Sequence, residues 1–381
     1  MMEFSGISAQ KDLLRASIES RIAQVLSHGQ FIMGPEIQEL ERTLSSYTGA
    51  AHAITCSSGT DALLLALIAL GIGEGDGVFL PSYTFAATAE AVLRAGATPL
   101  FVDVDPHRYT LDPQCLREAV EHLQSVKNAS PPVRAAGVVA VDIFGHPADY
   151  DEIQLICDEY NLKLLSDGAQ SFGARYRGRI SGNFSDCTAT SFFPSKPLGC
   201  YGDGGAIFCN SAIVADKVRA LRVHGRTSRG FAYIGMNGRL DTIQAAVLLE
   251  KMSTFDQESL VRRRHAELYR QLLPPWLQVP TSGGDCQSSW SQFNILLPVG
   301  TQIEMKENRT HLVNILLQAG IPTRRYYGEN LHRQTLFTKG RKPILLPVTE
   351  SLAERGLCLP IHGYLSSEKI EAISHVIRGA F

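Results

Sequence analysis

The 381-residue chain lacks most features that announce a function outright. No apolar run reaches the ~20 residues that cross a bilayer. The opening MMEFSGISAQKD has no signal-peptide core, so a cytoplasmic protein is expected. Neither sign of charge dominates: 36 Lys and Arg face 38 Asp and Glu, a net charge of −2. Such a surface does not advertise a nucleic-acid or other polyanionic partner. Cysteine pairs are missing as well. Cys56, Cys115, Cys157, Cys187, Cys200, Cys209, Cys286 and Cys358 are scattered, form no CxxC, and mostly sit in apolar runs. That pattern argues against a disulfide framework or a zinc site and for reduced, buried thiols. There is no GxxxxGK[ST] phosphate loop, no HExxH and no GxSxG elbow. GIGEGDG (71–77) clusters glycines but follows a helix pattern, so it fails the context test for a dinucleotide site.

What is present is an ordinary globular composition, 44% hydrophobic and 19% charged, at a length that suggests a large domain plus a smaller one. From residue 35 to about 210, strand and helix patterns alternate. Short apolar runs at 51–56, 77–81, 98–104, 136–144 and 162–167 read as strands. Helical patterns occupy 35–49, 60–73, 88–96, 113–126 and 149–161. Alternation of this kind predicts an α/β fold on a parallel sheet. Further helices are expected at 211–225, 239–252 and 262–276, the last stopped by Pro274 and Pro275. A strand at 290–299 and helices at 310–320 and 367–379 form the expected C-terminal part. The division is placed as 1–260, a large domain with an N-terminal helical segment, and 261–381, a smaller one.

Candidate chemistry collects at predicted strand ends, where open parallel sheets bind ligands. Asp167 closes the strand LKLLSD; alternatively it caps the next turn. Gly59 and Thr60 open a helix, where free N–H groups favour an anion; a simple capped turn is the other reading. Phe85 follows a strand end, as a core residue or as a flat surface for a planar ligand. Lys196 lies in SFFPSKPLGCYGDGG, flanked by Pro194 and Pro197 and followed by four glycines. Proline and glycine make this a shaped loop and not a helix carrying a surface lysine. An amine, an anion site, a buried acid and an aromatic face are the four things pyridoxal 5′-phosphate (PLP) asks of a protein.

GQFIMGPEIQELE, CSSGTDALLLAL, PSYTFAATAEAV, DGAQSFGA, SFFPSKPLGCYGDGGAIF and GMNGRLDTIQAA occur in that order. Together they resemble the DegT/StrS-type sugar-nucleotide aminotransferases from about residue 12 to the C-terminus. The resemblance implies an aspartate-aminotransferase-like α/β fold (fold type I), with a mostly parallel sheet flanked by helices and a smaller C-terminal α/β domain. It implies PLP as cofactor, with Lys196 as the Schiff-base lysine and Asp167 against the pyridine nitrogen. By the same resemblance Gln170 contacts the ring hydroxyl side, Phe85 stacks on the ring, and Gly59, Thr60 and Ser191 bind phosphate. Asn237 would cross a homodimer interface to the partner's phosphate. Phe31, Ser195, Arg239, Tyr326, Tyr327 and His332 would line the sugar pocket. For Arg239 an ion pair with Asp241 is the competing reading, and for His332 packing or capping. The implied reaction is ping-pong transfer of an amino group from L-glutamate to a keto-sugar nucleotide, nearest to enzymes acting on UDP-linked 3-keto sugars. Amination at C4, or a non-catalytic sensor of the same fold, are the alternatives. The chain departs from the family in Ser58 before Gly59-Thr60, in Gly168 of DGAQ, in Asp142, and in YYGENLHRQ (326–334).

Overall fold

A computed structural model describes residues 2–125, 133–279, 281, 283–338 and 344–380. Its centre is a seven-stranded sheet in the order β1-β9-β8-β5-β4-β2-β3. The strands are β1 (His52–Cys56), β2 (Asp76–Pro81), β3 (Thr98–Val102), β4 (Arg134–Val141), β5 (Lys163–Asp167), β8 (Cys187–Ser191) and β9 (Gly205–Cys209). β3, β2, β4, β5 and β8 run parallel, whereas β9 is antiparallel to both β8 and β1. The sheet is therefore mostly parallel, as the resemblance implied. β8 and β9 were not read as strands. CTATS has no apolar alternation, and its Thr188 and Thr190 are nonetheless buried on a central strand.

Helices α3 (Gly59–Ala69), α4 (Ala86–Arg94), α5 (Pro113–Ser125), α6 (Tyr150–Tyr160) and α7 (Ala212–Leu221) cover the sheet. Residue 126, the last of the expected 113–126 helix, lies outside the described residues. α3 is apolar on almost every side, and Ala62 to Leu67 are all buried, so it fills the main core instead of facing water. Ahead of the sheet run α1 (Ile7–His28) and α2 (Pro35–Thr48). α2 starts on Pro35 and ends on Gly49, whose φ of 76° is the left-handed conformation that terminates helices. Small hairpins decorate the body. β6 (Arg175–Tyr176) pairs with β7 (Arg179–Ile180) and β12 (Cys286–Gln287), and β10 (Arg226–Thr227) pairs with β11 (Gly230–Phe231).

One expectation is corrected. The two helices predicted at 239–252 and 262–276 are a single 31-residue helix, α8 (Thr242–Leu272). Ser253 to Leu260 carry no proline or glycine, so nothing interrupts the backbone ladder there. Phe255, Glu258 and Ser259 are buried within it. The division expected at 260/261 thus falls inside α8. After α8 come β13 (Phe293–Leu296) paired with β14 (Gly356–Leu359), then α9 (Gln302–Gln318), α10 (Thr335–Thr338), α11 (Pro347–Arg355) and α12 (Ser367–Arg378). α9 begins eight residues before the predicted start at 310, on a capping box between Thr301 and Glu304. Leu297, Leu312, Leu316, Ile370 and Ile373 share a second buried cluster with β13 and β14. Among the described residues no helix is long and apolar enough to cross a membrane.

Candidate active site

β8 and β9 form a hairpin whose connecting loop, 192–204, carries Lys196. The loop is tightly closed. Phe192 N–H donates to Gly204 O, Cys200 N–H to Phe192 O, and Lys196 N–H to Phe193 O. A side chain at Gly199 would lie 2.6 Å from two backbone oxygens, so only glycine closes this turn. From α8 the buried Lys251 donates to Gly199 O at 2.6 Å and tethers the loop from behind. Lys196 is thus displayed by proline, glycine and a second lysine together.

β5 lies beside β8, and Asp167, its last residue, pairs with Ala189. Asp167 is 6% exposed. Thr88 Oγ1 on α4 donates to its Oδ2 at 2.7 Å, and Ala169 N–H to Oδ1 at 3.3 Å. Burial pushes this carboxyl above the usual aspartate range, while those two bonds and the Lys196 charge hold it down. Burial likewise pulls Lys196 below the ordinary lysine range, opposed by Asp167. A lysine and a buried acid whose charges act on one another are an arrangement met at functional sites.

The turn before α3 is a capped turn, the other reading given above: Ser58 is the cap, its Oγ accepting from Asp61 N–H at 3.1 Å. Gly59 sits against Ser191: an added Cβ would come within 2.6 Å of the Ser191 Cβ. The start of α3 and the end of β8 therefore press together, leaving the first N–H groups of the helix free for a ligand. Phe85 precedes the first turn of α4 and is 64% exposed, an unpaired aromatic face three residues before Thr88. Gln170 is buried, accepts from Phe144 N–H at 2.9 Å, and donates to Tyr327 Oη at 2.7 Å. Tyr327 adopts a left-handed φ of 58° and packs against Tyr83, Phe144 and Tyr326.

Of the residues assigned to a sugar, Ser195 and Tyr326 line one cleft with Lys196. Phe31 and Arg239 lie apart from it, near the start of α8, where Thr242 N–H donates to Phe31 O at 3.0 Å. Arg239 makes no ion pair with Asp241 among the described residues, and its Nε is buried without a partner. Asn237 is exposed beside the β10–β11 hairpin. His332 is a correction. It is buried, with Nδ1 2.7 Å from Ser82 Oγ and Nε2 3.1 Å from Glu350 Oε1. Both ring nitrogens are engaged within the protein, so none is left for a sugar. Sequence reasoning also missed Thr88, although its spacing puts it in the first turn of the helix that Phe85 precedes.

Held against PLP, these residues fit. A buried acid, a depressed lysine, a helix start that a Cβ would crowd and an exposed aromatic ring all lie at or just past the C-terminal ends of β5, β8, β1 and β2, on one edge of the sheet. Among the described residues no group of three or more His, Cys, Asp or Glu is disposed to hold a metal.

Comparison with known proteins agrees. The sequence profile of the DegT/DnrJ/EryC1/StrS aminotransferase family matches residues 12–378. A Pseudomonas aeruginosa protein, UDP-2-acetamido-2-deoxy-3-oxo-D-glucuronate aminotransferase, is 38% identical over 380 residues, 98% of either chain. The crystal structure of a DegT DnrJ EryC1 StrS aminotransferase from Brucella abortus superposes with a TM-score of 0.92 at 40% identity, covering 100% of this chain and 99% of that one. NtdA from Bacillus subtilis, solved with bound cofactor PMP, gives 0.86 at 26% identity, over 99% of this chain and 85% of that one.

Proposed function

This chain belongs to the DegT/DnrJ/EryC1/StrS aminotransferase family, whose members are PLP-dependent transaminases, and from that premise we propose that it aminates C3 of a UDP-linked 3-keto-2-acetamido sugar or its uronic acid. The amino donor in this reading is L-glutamate and the product is an amino-sugar nucleotide for surface polysaccharide or glycoconjugate synthesis. The observation that carries the chemistry is the buried Asp167 at the end of β5 lying close enough to Lys196, in the loop after β8, for each charge to act on the other. The choice of C3 over C4 rests on the 3-oxo substrate in the name of the Pseudomonas relative.

When bound, PLP supplies an aldehyde for an amine and a ring that takes up electrons from carbon. The protein does the rest. Lys196 would hold the aldehyde, and its amine, whose pKa burial lowers, would serve as the base that moves a proton at the substrate carbon. Asp167, anchored by Thr88, keeps a proton on the ring nitrogen. The N–H groups of Gly59 and Thr60, with Ser191, hold the phosphate at the positive end of α3. Phe85 would cover one ring face, and Gln170, held by Phe144 N–H and Tyr327 Oη, would contact the ring hydroxyl side.

A homodimer with shared sites belongs to this proposal. Phe231, Tyr233 and Ile234 on the β10–β11 hairpin are 74%, 43% and 96% exposed, next to Asn237. An apolar projection of this kind is covered in a partnered protein. Asn237 and Arg239 then serve the partner's site. All eight cysteines are free, which suits the reducing cytoplasm.

Colour tests the cofactor and a half-reaction tests the activity. The purified protein with PLP is expected to be yellow, to lose that absorbance on adding glutamate while releasing 2-oxoglutarate, and to regain it with a UDP-3-keto sugar. Lys196→Ala should abolish turnover. A Lys196→Ala protein that still turns over, or a wild type that stays colourless with PLP, would refute the reading, the latter in favour of a non-catalytic sensor. Recovery with a 4-keto-6-deoxy sugar nucleotide alone would move the reaction to C4.

A further inference from the structure

A small cleft lies between the Lys196 loop, the middle of α8, residues 291–292 and the segment 361–364, beneath the N-terminal residues Phe4–Gln10. Its volume is about 40 Å³, room for about three waters or a single carboxylate. The walls carry donors with nothing to donate to. Arg262, 7% exposed, donates from Nη2 to Ser259 Oγ at 3.2 Å, but its Nε has no partner. Tyr364 N–H donates to His362 Nδ1 at 3.2 Å. Nδ1 is therefore the acceptor, and burial keeps the ring neutral by lowering its pKa to about 4. Nε2 is buried and makes no hydrogen bond of ordinary geometry, although the Glu3 backbone and the Glu3 charge act on the ring and raise its pKa against burial. Ser291 Oγ is a third such group. The neighbouring Gln292 amide, with Oε1 unpartnered, can turn to offer its N–H groups.

Glu258, one turn before Arg262, shares the cleft. Its carboxylate is already occupied, accepting from Gln10 Nε2 at 2.9 Å, Thr254 Oγ1 at 2.8 Å and Tyr364 Oη at 2.6 Å. It offsets part of the Arg262 charge without a salt bridge between them among the described residues. Orphaned buried polar groups are rare, because each has given up water and gained nothing. Among the described residues Arg262 Nε and Ser291 Oγ, with the His362 ring beside them, are under-used donors in one cleft, and one of them is cationic.

We propose that this cleft receives a carboxylate of a reactant, with Arg262, His362 and Ser291 as its donors. The inference rests on the transaminase reading and adds an anchor to it: Lys196 and Ser195 line the same cleft, so a molecule held there by its carboxylate lies beside the residue that carries the reacting amine. Two reactants offer this chemistry, the amino-acid donor and a uronic acid sugar.

Calorimetric titration of the PLP-loaded protein with glutarate, and separately with UDP-glucuronate, tests the assignment. Arg262→Gln should weaken binding about 10- to 100-fold, as for a lost hydrogen bond to a charged group, and Ser291→Ala about 3- to 10-fold. Ser291→Ala removes one hydroxyl from a partly exposed turn and carries the test if Arg262→Gln does not fold. Dependence seen with glutarate assigns the cleft to the donor; dependence seen only with UDP-glucuronate assigns it to the acceptor. Affinities for both ligands that ignore both substitutions overturn the proposal. A wild type that releases no 2-oxoglutarate from glutamate refutes the transaminase reading instead, and the titration still reports on the cleft.

Discussion

Replacing Asp142 by Asn should flatten part of the pH dependence of stability. Asp142 follows β4 and is fully buried. Its Oδ1 accepts from Tyr150 Oη at 2.7 Å and Ala148 N–H at 2.9 Å, and its Oδ2 from Ser171 Oγ at 2.6 Å. Burial nevertheless pushes its carboxyl up to about 7, and the nearby Asp167 adds to the rise. The unfolded chain should titrate near 3.9. The folded state therefore holds this proton more tightly than the unfolded state. The resulting stability is complete below pH ~4 and is lost as pH rises through about 7, roughly 4 kcal/mol over the whole window. About 2 kcal/mol of it remains to be lost between pH ~5.5 and ~8. Asparagine matches the protonated acid in shape: its oxygen keeps the Tyr150 and Ala148 bonds, and its amide donates to Ser171 Oγ, whose hydroxyl can turn to Ser181 Oγ, 2.7 Å away. Urea unfolding of the coenzyme-free protein at both pH values, at one protein concentration, measures the effect. The stability difference between wild type and Asp142→Asn should shift by about 2 kcal/mol against the wild type as pH rises. Profiles that stay parallel would show that Asp142 is ionised throughout and that its three hydrogen bonds outweigh burial.

Gly59→Ala should weaken PLP retention and cost about 1–3 kcal/mol, the usual penalty of overpacking, because the new methyl meets Ser191 at 2.6 Å. Dialysis followed by absorbance reads the first effect and thermal unfolding the second, and Ser191→Gly in the same chain, which removes the clashing Cβ, should recover part of the stability. Thr88→Val removes a donor from the Asp167 carboxylate, leaving it harder to ionise, so PLP affinity should fall by about tenfold, as for one charge-assisted bond, with the fold intact by circular dichroism. His332→Ala should lower stability by about 2–4 kcal/mol, since Ser82 and Glu350 lose their shared partner, while the KM for the sugar nucleotide stays unchanged. A raised KM in a stably folded His332→Ala would restore that histidine to the sugar pocket.

Several features were legible in the sequence because they are local. Strand ends followed by Gly-Thr or an acid, the Pro and Gly punctuation around Lys196, and the glycine at the end of α2 are consequences of backbone sterics that each residue carries with it. The order of the motifs along the chain pointed to the family, which the comparisons show. Other features depend on partners far away in sequence. α8 reads as two helices because its middle turns are polar, and its burial comes from packing of α1, α2 and α12 against it. β8 became a central strand because β5 and β9 supply its hydrogen bonds, whatever its threonines prefer. The role of His332 depended on Ser82, 250 residues earlier, and on Glu350.

By itself, then, the sequence determined the α/β alternation, the lysine loop and the acid at the end of β5, since these follow from nearest-neighbour conformational preference and hydrophobic period. Only the tertiary structure decided which polar groups are satisfied: Thr88 on Asp167, both nitrogens of His332 spoken for, the donors of Arg262, His362 and Ser291 left over. Hydrogen-bond satisfaction is a property of three-dimensional neighbours and of excluded water, and no one-dimensional pattern encodes it.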